Sequence, residues 1–216
     1  MVKKLRAIGF DLDGTLVDSL GFSAQWVAAA ASKASGRPVT ENEARKYFGQ
    51  PEPMIFKAMF PLEEAGKAEE AFSHYKELLS AQVSQMKLFS QVFEVFSILA
   101  EKKISVALYT TRGRWATDRI LEHHQLKNHF AFTLAGDEVQ KLKPDPEGIL
   151  KLCENLSVSP KEFVYVGDSD YDVMAAHRAG AGAYHAVWAE GVNRNGEKAL
   201  KSLGDLRTAI ERGRLG

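Results

Sequence analysis

The sequence has only one cysteine, no excess of charge of either sign and no long apolar run. Because Cys153 is the one thiol in 216 residues, no disulfide can form within the chain and no thiolate cluster can hold zinc. Basic and acidic residues number 28 each, which argues against a dominant attraction to nucleic acid or to an anionic membrane. No run of roughly 18 apolar residues could span a bilayer. The composition therefore predicts no nucleic-acid or membrane partner, and the cysteine usage fits a reducing, cytoplasmic location.

Short apolar runs dominate the remaining pattern. Hydrophobic residues make up 45% of the chain and charged residues 26%, a balance typical of globular proteins. Five short runs, several of them rich in Val, Ile and aromatic residues, predict buried strands at 5–10, 104–109, 130–134, 163–166 and 183–187. Amphipathic segments between most of them predict an α/β fold, with a Rossmann-like parallel sheet and helices on both faces. Ligands bind such sheets at the carboxyl ends of the strands.

Residues 17–86 interrupt this alternation, because they show helical spacing and no strand-like run. An insert of roughly 70 residues is too long for a plain connection. We therefore expect a small all-helical cap at 17–86 on a core formed by 1–16 and 87–216. Within and after the insert, helical spacing is predicted at 19–33, 41–48, 53–60, 62–86, 90–102 (with Phe93 facing inward) and 206–211, and a polar loop at 189–196.

The first predicted strand ends in Asp11-Leu12-Asp13-Gly14-Thr15. Two carboxylates two residues apart leave an extended chain on the same side, and Gly14 permits a sharp turn. Such close like charges repel unless a cation or protons offset them. An ordinary Asx turn accounts for one Asp before Gly, but not for this whole pattern at the tip of a buried strand.

A second acidic run, Gly167-Asp168-Ser169-Asp170-Tyr171-Asp172, follows the strand at 163–166. Capping of the next helix accounts for Ser169 or Asp170, but not for a second acid-tipped strand in the same sheet. Carboxylates from two strand tips can converge on one Mg²⁺ ion. The two runs together predict a metal site at the carboxyl edge of the sheet.

Hydroxyl groups and a lysine follow other predicted elements. Thr110-Thr111-Arg112-Gly113 comes after the second strand and just before a helix, whose N-terminus favours anions. Lys143, fixed by Pro144, could neutralise a phosphate. Alone, the first segment would be an ordinary helix cap and the second a solvated lysine. Because both occur in this order beside the two acidic runs, we interpret them as candidate phosphate-binding segments.

These four segments, in this order, resemble the motifs of the haloacid dehalogenase-like (HAD) superfamily. The helical insert after the first motif resembles the C1-type cap of the phosphoglycolate phosphatase-like branch. The resemblance spans nearly the whole chain and implies a Mg²⁺-dependent phosphomonoester hydrolase that acts on a small phosphorylated metabolite through an aspartyl-phosphate. Two positions depart from it, since Thr111-Arg112 and Ser90-Gln91 stand where many relatives have Asn-Lys and Pro-Gly. Neither departure touches the acids.

The resemblance also implies roles for individual residues. Asp11 would be the nucleophile and a metal ligand. Asp13 would act first as general acid and then as general base, with its backbone carbonyl on the metal. Asp168 would be the second carboxylate ligand, with Asp172 supporting it. The phosphoryl oxygens would be held by Thr110, Thr111 and Lys143.

Residues 45–51 resemble the substrate-specificity loop of capped relatives. Arg45 could pair there with a carboxylate or second phosphate of the substrate. It could equally be a solvated helix residue.

Alternatives remain at the level of the sequence. A sugar phosphomutase of the same superfamily keeps the same aspartyl-phosphate chemistry, so the cap must decide between the two. A non-enzymatic phospho-receiver domain also has acids, a hydroxyl and a lysine, but its phosphorylated aspartate follows a central strand and it has no long insert. The six histidines lack the spacing of a zinc hydrolase. The substrate, and the choice between monomer and homodimer, stay open.

Overall fold

The computed structural model describes residues 4–189 and 199–215, so all but the first residue of the predicted loop at 189–196 lies outside the described residues. The strands are β1 Ala7–Phe10, β2 Val17–Asp18, β3 Lys87–Leu88, β4 Ser105–Tyr109, β5 Phe132–Leu134, β6 Phe163–Gly167, β7 Gly182–Ala186 and β8 Ala199–Leu200. The α-helices are α1 Leu20–Ser35, α2 Glu41–Arg45, α3 Glu52–Met59, α4 Ala65–Gln82, α5 Val92–Glu101, α6 Arg114–His123, α7 Glu147–Asn155, α8 Asp170–Arg178 and α9 Leu203–Glu211.

Among the described residues, six strands form one parallel sheet in the order β5-β4-β1-β6-β7-β8. The first strand is central, because Phe10 is paired with Leu108 of β4 on one side and with Val166 of β6 on the other. The chain fills one side of the sheet before it returns to the other, so the strand order reverses at β1. This is the place where α/β sheets bind ligands. All five predicted strands are present.

Alternate side chains of the central strands β1, β4 and β6 enter two different cores. In β1, Ile8 and Phe10 join a core that contains Val95 of α5. Ala7, on the opposite face, joins a core that contains Leu152 of α7. The period-two alternation thus buries both faces of the sheet under helices. The predicted Rossmann-like α/β class is confirmed.

Four helices, α1 to α4, lie between the short strands β2 and β3. These two strands pair antiparallel, with Val17 opposite Leu88, where the chain leaves the sheet region and returns to it. The helices pack on one another around buried aromatic side chains that include Trp26 and Tyr75. The structure therefore contains the helical cap that the fold prediction included.

No helix in the described ranges has the length and apolar character needed to cross a membrane.

Several small features differ from the sequence predictions. Strands β2, β3 and β8 were not predicted, because two residues are too few to show a periodicity. The inward-facing assignment of Phe93 is wrong, since its side chain is 44% exposed. Val92, Val95 and Leu99 define the buried face of α5. Phe93 lies at the rim of that face, where its ring centroid is 5.4 Å from that of His129.

Gly148 in α7 provides a test of packing beneath the carboxyl end of β4. A Cβ atom at this position would overlap the ring of Tyr109, so Gly148→Ala should lower the free energy of unfolding by about 1–3 kcal/mol. Gly66 is likewise the second residue of its helix, but a Cβ there meets nothing within 4 Å. Gly66→Ala should therefore raise stability by up to about 1 kcal/mol. Urea unfolding measures both, and equal changes would contradict this packing.

Candidate active site

Three carboxylates converge at the carboxyl end of the central strands. Asp11 directly follows β1, Asp168 directly follows β6, and Asp172 lies in the first turn of α8. The two strand tips lie side by side, and the N–H of Asp11 donates to the carbonyl of Val166 at 2.9 Å. One carboxylate oxygen of each of the three aspartates lies within 4.8 Å of the others. Such a group of oxygens suits a hard divalent cation.

The ammonium of Lys143 contacts this cluster. Its Nζ lies 2.8 Å from Oδ1 of Asp11 and 2.7 Å from Oδ1 of Asp172. It also donates to the carbonyl of Tyr109 at 3.0 Å, and its ammonium lies 4.7 Å from the centre of the Tyr109 ring and 5.1 Å from that of Tyr165. Burial alone would lower the pKa of the ammonium, but attraction by Asp11 and Asp172 outweighs burial and raises it. Lys143 is therefore a fixed positive charge.

One ammonium does not balance three carboxylates. Burial raises the pKa of Asp11, and the charges of Asp172 and Asp13 raise it further, whereas Lys143 lowers it. Burial is likewise the main cause of the raised pKa of Asp168, and repulsion from Asp11 and Asp172 raises it further. The folded protein therefore holds these carboxylates in surroundings that disfavour their charge. An additional cation would relieve this, so the residues fit a metal ion.

Local backbone features hold the acids in place. Gly14 has a φ of 70°, and a Cβ atom there would collide with the carboxylate of Asp168. Oδ2 of Asp172 accepts hydrogen bonds from the N–H and the hydroxyl of Ser169, at 3.0 and 2.5 Å. Nε2 of His185 donates to the carbonyl of Asp168 at 2.7 Å. The turn glycine, the helix cap and a histidine of β7 thus orient the cluster together.

The carboxylate of Asp13 takes a different direction from that of Asp11. Nε and Nη2 of Arg112 donate to its two oxygens at 2.7 and 2.6 Å, and the hydroxyl of Ser19 donates to Oδ1 as well. Among the described residues, the side chain of Asp13 is not part of the cluster of three acids. It nevertheless lines the same cavity as Asp11.

The two threonines after β4 differ in exposure. Thr110 is buried, and its Oγ1 accepts a hydrogen bond from the N–H of Arg112 at 3.2 Å. Thr111 is partly exposed and lines the cavity over the acids. The hydroxyl hydrogen of Thr110 is still able to donate, because that hydrogen bond uses only an oxygen lone pair.

A cavity of about 690 Å³ lies above the acids. Asp11 and Asp168 line it from the sheet, while Arg45 and Lys46 line it from the helical segment between β2 and β3. The side chain of Arg45 is 42% exposed, and its nearest carboxylate is that of Glu41 at 3.8 Å. Of the predicted site residues, all but the buried Thr110 line this cavity.

Some polar residues of the site were not predicted. Ser23, Glu52 and Tyr75 line the cavity and contact Arg112, which the sequence marked only as a departure from relatives. Glu52 follows Pro51 at the start of α3, and in sequence such an acid is indistinguishable from an ordinary first-turn residue. Its burial, with 4% of its surface exposed, sets it apart.

Comparisons with known proteins identify phosphatases as relatives of this chain. The chain is 30% identical over 193 residues to a phosphoglycolate phosphatase of Vibrio vulnificus (strain YJ016), and the match covers 84% of this chain and 83% of the relative. It is 28% identical over 185 residues to a protein of Caldanaerobacter subterraneus that is provisionally named pyrophosphatase PpaX, with coverage of 86% and 83%.

Solved structures show the same architecture. The structure of a predicted phosphoglycolate phosphatase from Haemophilus somnus 129PT superposes with a TM-score of 0.81 at 22% identity, covering 96% of this chain and 99% of that one. At this identity the similarity establishes the fold alone. Residues 8–186 match the sequence profile of the family described as haloacid dehalogenase-like hydrolase. Because this match spans most of the sequence, the chain belongs to the haloacid dehalogenase-like hydrolase family.

Proposed function

We propose that this chain is a Mg²⁺-dependent phosphomonoester hydrolase that acts on a small phosphorylated metabolite through an aspartyl-phosphate on Asp11. The observation that carries the proposal is the grouping of Asp11, Lys143, Asp168 and Asp172 at one end of a cavity. Both relatives are named for hydrolysis at phosphorus, of a phosphoanhydride for the pyrophosphatase and of a phosphomonoester for the phosphoglycolate phosphatase. They support the reaction class and leave the natural substrate open.

The metal site consists of Asp11, Asp168 and Asp172, with the backbone carbonyl of Asp13 as the further ligand that the family resemblance implies. Support comes from the oxygen-only set of donors and from the excess of carboxylates over ammonium groups. When bound, Mg²⁺ supplies positive charge that stabilises the phosphoryl oxygens in the transition state.

In the first step, a carboxylate oxygen of Asp11 attacks phosphorus and the P–O bond to the leaving group breaks. The leaving oxygen takes a proton from the carboxyl group of Asp13. Negative charge is spread over three phosphoryl oxygens, so fixed positive charge and hydrogen-bond donors lower the barrier. Lys143 supplies that charge 2.8 Å from Asp11, and the hydroxyls of Thr110 and Thr111 supply donors.

In the second step, water attacks the phosphorus of the aspartyl-phosphate. Asp13, now a carboxylate, removes a proton from this water, and the bond between phosphorus and Asp11 breaks. Inorganic phosphate leaves, Asp11 is again a carboxylate and Asp13 is again protonated. The sum is hydrolysis of one ester bond by one water molecule.

Specificity is assigned in this proposal to a cap at residues 17–86, over a core of residues 1–16 and 87–216. The paired strands β2 and β3 support this division, because they lie at the two ends of the helical segment. The metal, Lys143 and the threonines recognise the phosphoryl group, so another segment must bind the rest of the substrate. Arg45 and Lys46 line the cavity from that segment.

The main alternative is a sugar phosphomutase, which would return the phosphoryl group to a bound intermediate instead of to water. Release of inorganic phosphate in proportion to substrate consumed distinguishes the two. A phospho-receiver domain is disfavoured, since Asp11 follows the first strand and a helical segment comes after it.

Mg²⁺ should raise the midpoint of thermal unfolding, because binding relieves the repulsion of the three acids only in the folded state. Asp168→Asn should abolish most of this shift, and without Mg²⁺ it should raise stability by removing a repelling charge. Asp170→Asn is the matched control, because Asp170 lies only two residues further along, at the start of α8, but outside the cluster. Differential scanning fluorimetry with and without Mg²⁺ measures both effects. An undiminished shift in the Asp168→Asn protein would overturn the metal site.

Asp11→Asn should lower the hydrolysis of both phosphoglycolate and para-nitrophenyl phosphate by about a thousandfold or more, because an amide is a poor nucleophile. Circular dichroism should show an intact fold. Rapid acid quenching with ³²P-labelled substrate should trap a hydroxylamine-sensitive phosphoprotein for the wild type and none for the variant. Turnover that survives this substitution would rule out Asp11 as the nucleophile.

Arg45→Ala should reduce kcat/KM for phosphoglycolate by about tenfold or more, because the substrate carboxylate loses a charged partner. It should leave para-nitrophenyl phosphate nearly unchanged, since that substrate has no second anionic group. Arg37→Ala is the control, because Arg37 also lies in the helical segment but pairs with Glu43 at 2.8 Å, away from the cavity. Steady-state kinetics measure kcat/KM for each variant and substrate. Equal losses on both substrates would indicate a structural effect of Arg45→Ala instead.

A further inference from the structure

The guanidinium of Arg112 has all of its hydrogen-bond donors in use. Nε donates to Asp13, and Nη2 donates to Asp13 at 2.6 Å and to Ser23 at 2.5 Å. Nη1 donates to Glu52 at 3.0 Å and to the hydroxyl of Tyr75 at 2.8 Å. An arginine has five N–H donors, so this set is complete. In this arrangement Arg112 has no donor left for an anionic substrate.

The four partners come from four separate parts of the chain. Asp13 belongs to the turn after β1, whereas Ser23, Glu52 and Tyr75 belong to α1, α3 and α4. Arg112 itself follows β4 and is buried, as are its three helical partners. Three helices of the segment between β2 and β3 therefore meet the sheet at a single guanidinium.

Glu52 ties this contact to the core in a second way. Its Oε2 accepts a hydrogen bond from the N–H of Gly113 at 2.8 Å, while its Oε1 accepts from Arg112 and from Tyr75. Burial raises the pKa of Glu52, and the charge of Arg112 opposes that rise. An ionised Glu52 thus depends on Arg112, and the buried Arg112 depends on an ionised Glu52 for its own charge balance.

We infer that Arg112 is a positioning residue. It orients the Asp13 carboxyl group when helices α1, α3 and α4 are packed against the sheet. This inference rests on the proposed function, in which Asp13 transfers the protons. Two parallel N–H···O bonds fix both oxygens of a carboxylate, which one ammonium cannot do. When the helices move off the sheet, Arg112 loses three of its four partners and Asp13 loses its fixed orientation. Correct seating of the helical segment therefore prepares the proton-transfer group.

The test uses the dependence of the rate on the leaving group. Proton donation matters for an alkyl phosphate and matters little for para-nitrophenyl phosphate, whose leaving group departs as an anion. In single-turnover experiments, Arg112→Lys should lower the rate at which glycerol phosphate phosphorylates the enzyme about a hundredfold. The rate with para-nitrophenyl phosphate should fall less than about fivefold. Glu52→Gln and Tyr75→Phe, which change only the helical side, should show the same selectivity with smaller losses.

Arg114→Lys is the matched control. Arg114 is two residues further along and forms its own ion pairs with Glu138 and Asp118, without contacting Asp13. This variant should retain wild-type rates on both substrates. Thermal unfolding of each variant checks the fold, and Tyr75→Phe, which removes a single oxygen atom, is the mildest change if the others unfold.

Asp13→Asn in the same series separates this inference from the proposed function. If Asp13→Asn shows no preferential loss on glycerol phosphate, the assignment of Asp13 as general acid is wrong. If Asp13→Asn shows that loss but the Arg112, Glu52 and Tyr75 variants lower both substrates equally, the positioning inference is overturned. In the double variant, Arg112→Lys should add less than about twofold to the effect of Asp13→Asn, because both act through one carboxyl group. Additive losses would also contradict the inference.

Discussion

Repulsion among Asp11, Asp168 and Asp172 is the constraint on which the rest of the site depends. Carboxylates that are buried this close to one another can all ionise only beside cations, and Lys143 contacts two of them. The same ammonium is bonded to the carbonyl of Tyr109 and lies over its ring. The charge balance of the site is therefore built into the packing of the sheet, and the deficit that remains is the structural argument for a metal ion.

The packing below the site carries this constraint into the core. Tyr109 ends β4, and its ring occupies the space that a side chain at position 148 would need. Gly14 similarly lets the turn after β1 come against the carboxylate of Asp168. Side chains that touch no substrate thus decide how closely the acids approach one another. This explains why a site of three like charges can be held by short, regular elements.

The acid-tipped strands and the parallel sheet could be predicted because strand, turn and acids are contiguous in the sequence, as at 10–15 and 163–172. The contacts of Arg112 could not be predicted in this way. Glu52, Tyr75 and Ser23 lie 60, 37 and 89 residues from it along the chain, and each is ordinary in its local context. Only the packing of three helices on the sheet brings them together. Local sequence patterns therefore predict the residues of the acid cluster better than the residues that join the helices to it.

Two cations divide the acids of the first motif between them. Asp11 is bound to Lys143 at the carboxyl end of the sheet, while Asp13, two residues later, is bound to Arg112, at the junction with the helices. The position of Asp11, the proposed nucleophile, consequently depends on strand β1, which it directly follows. The position of Asp13, the proposed proton-transfer group, depends instead on Arg112 and, through it, on side chains of α1, α3 and α4. Under the proposed function, sequence changes in the helical segment can therefore alter substrate choice and proton transfer together, while Asp11 keeps its position at the end of β1.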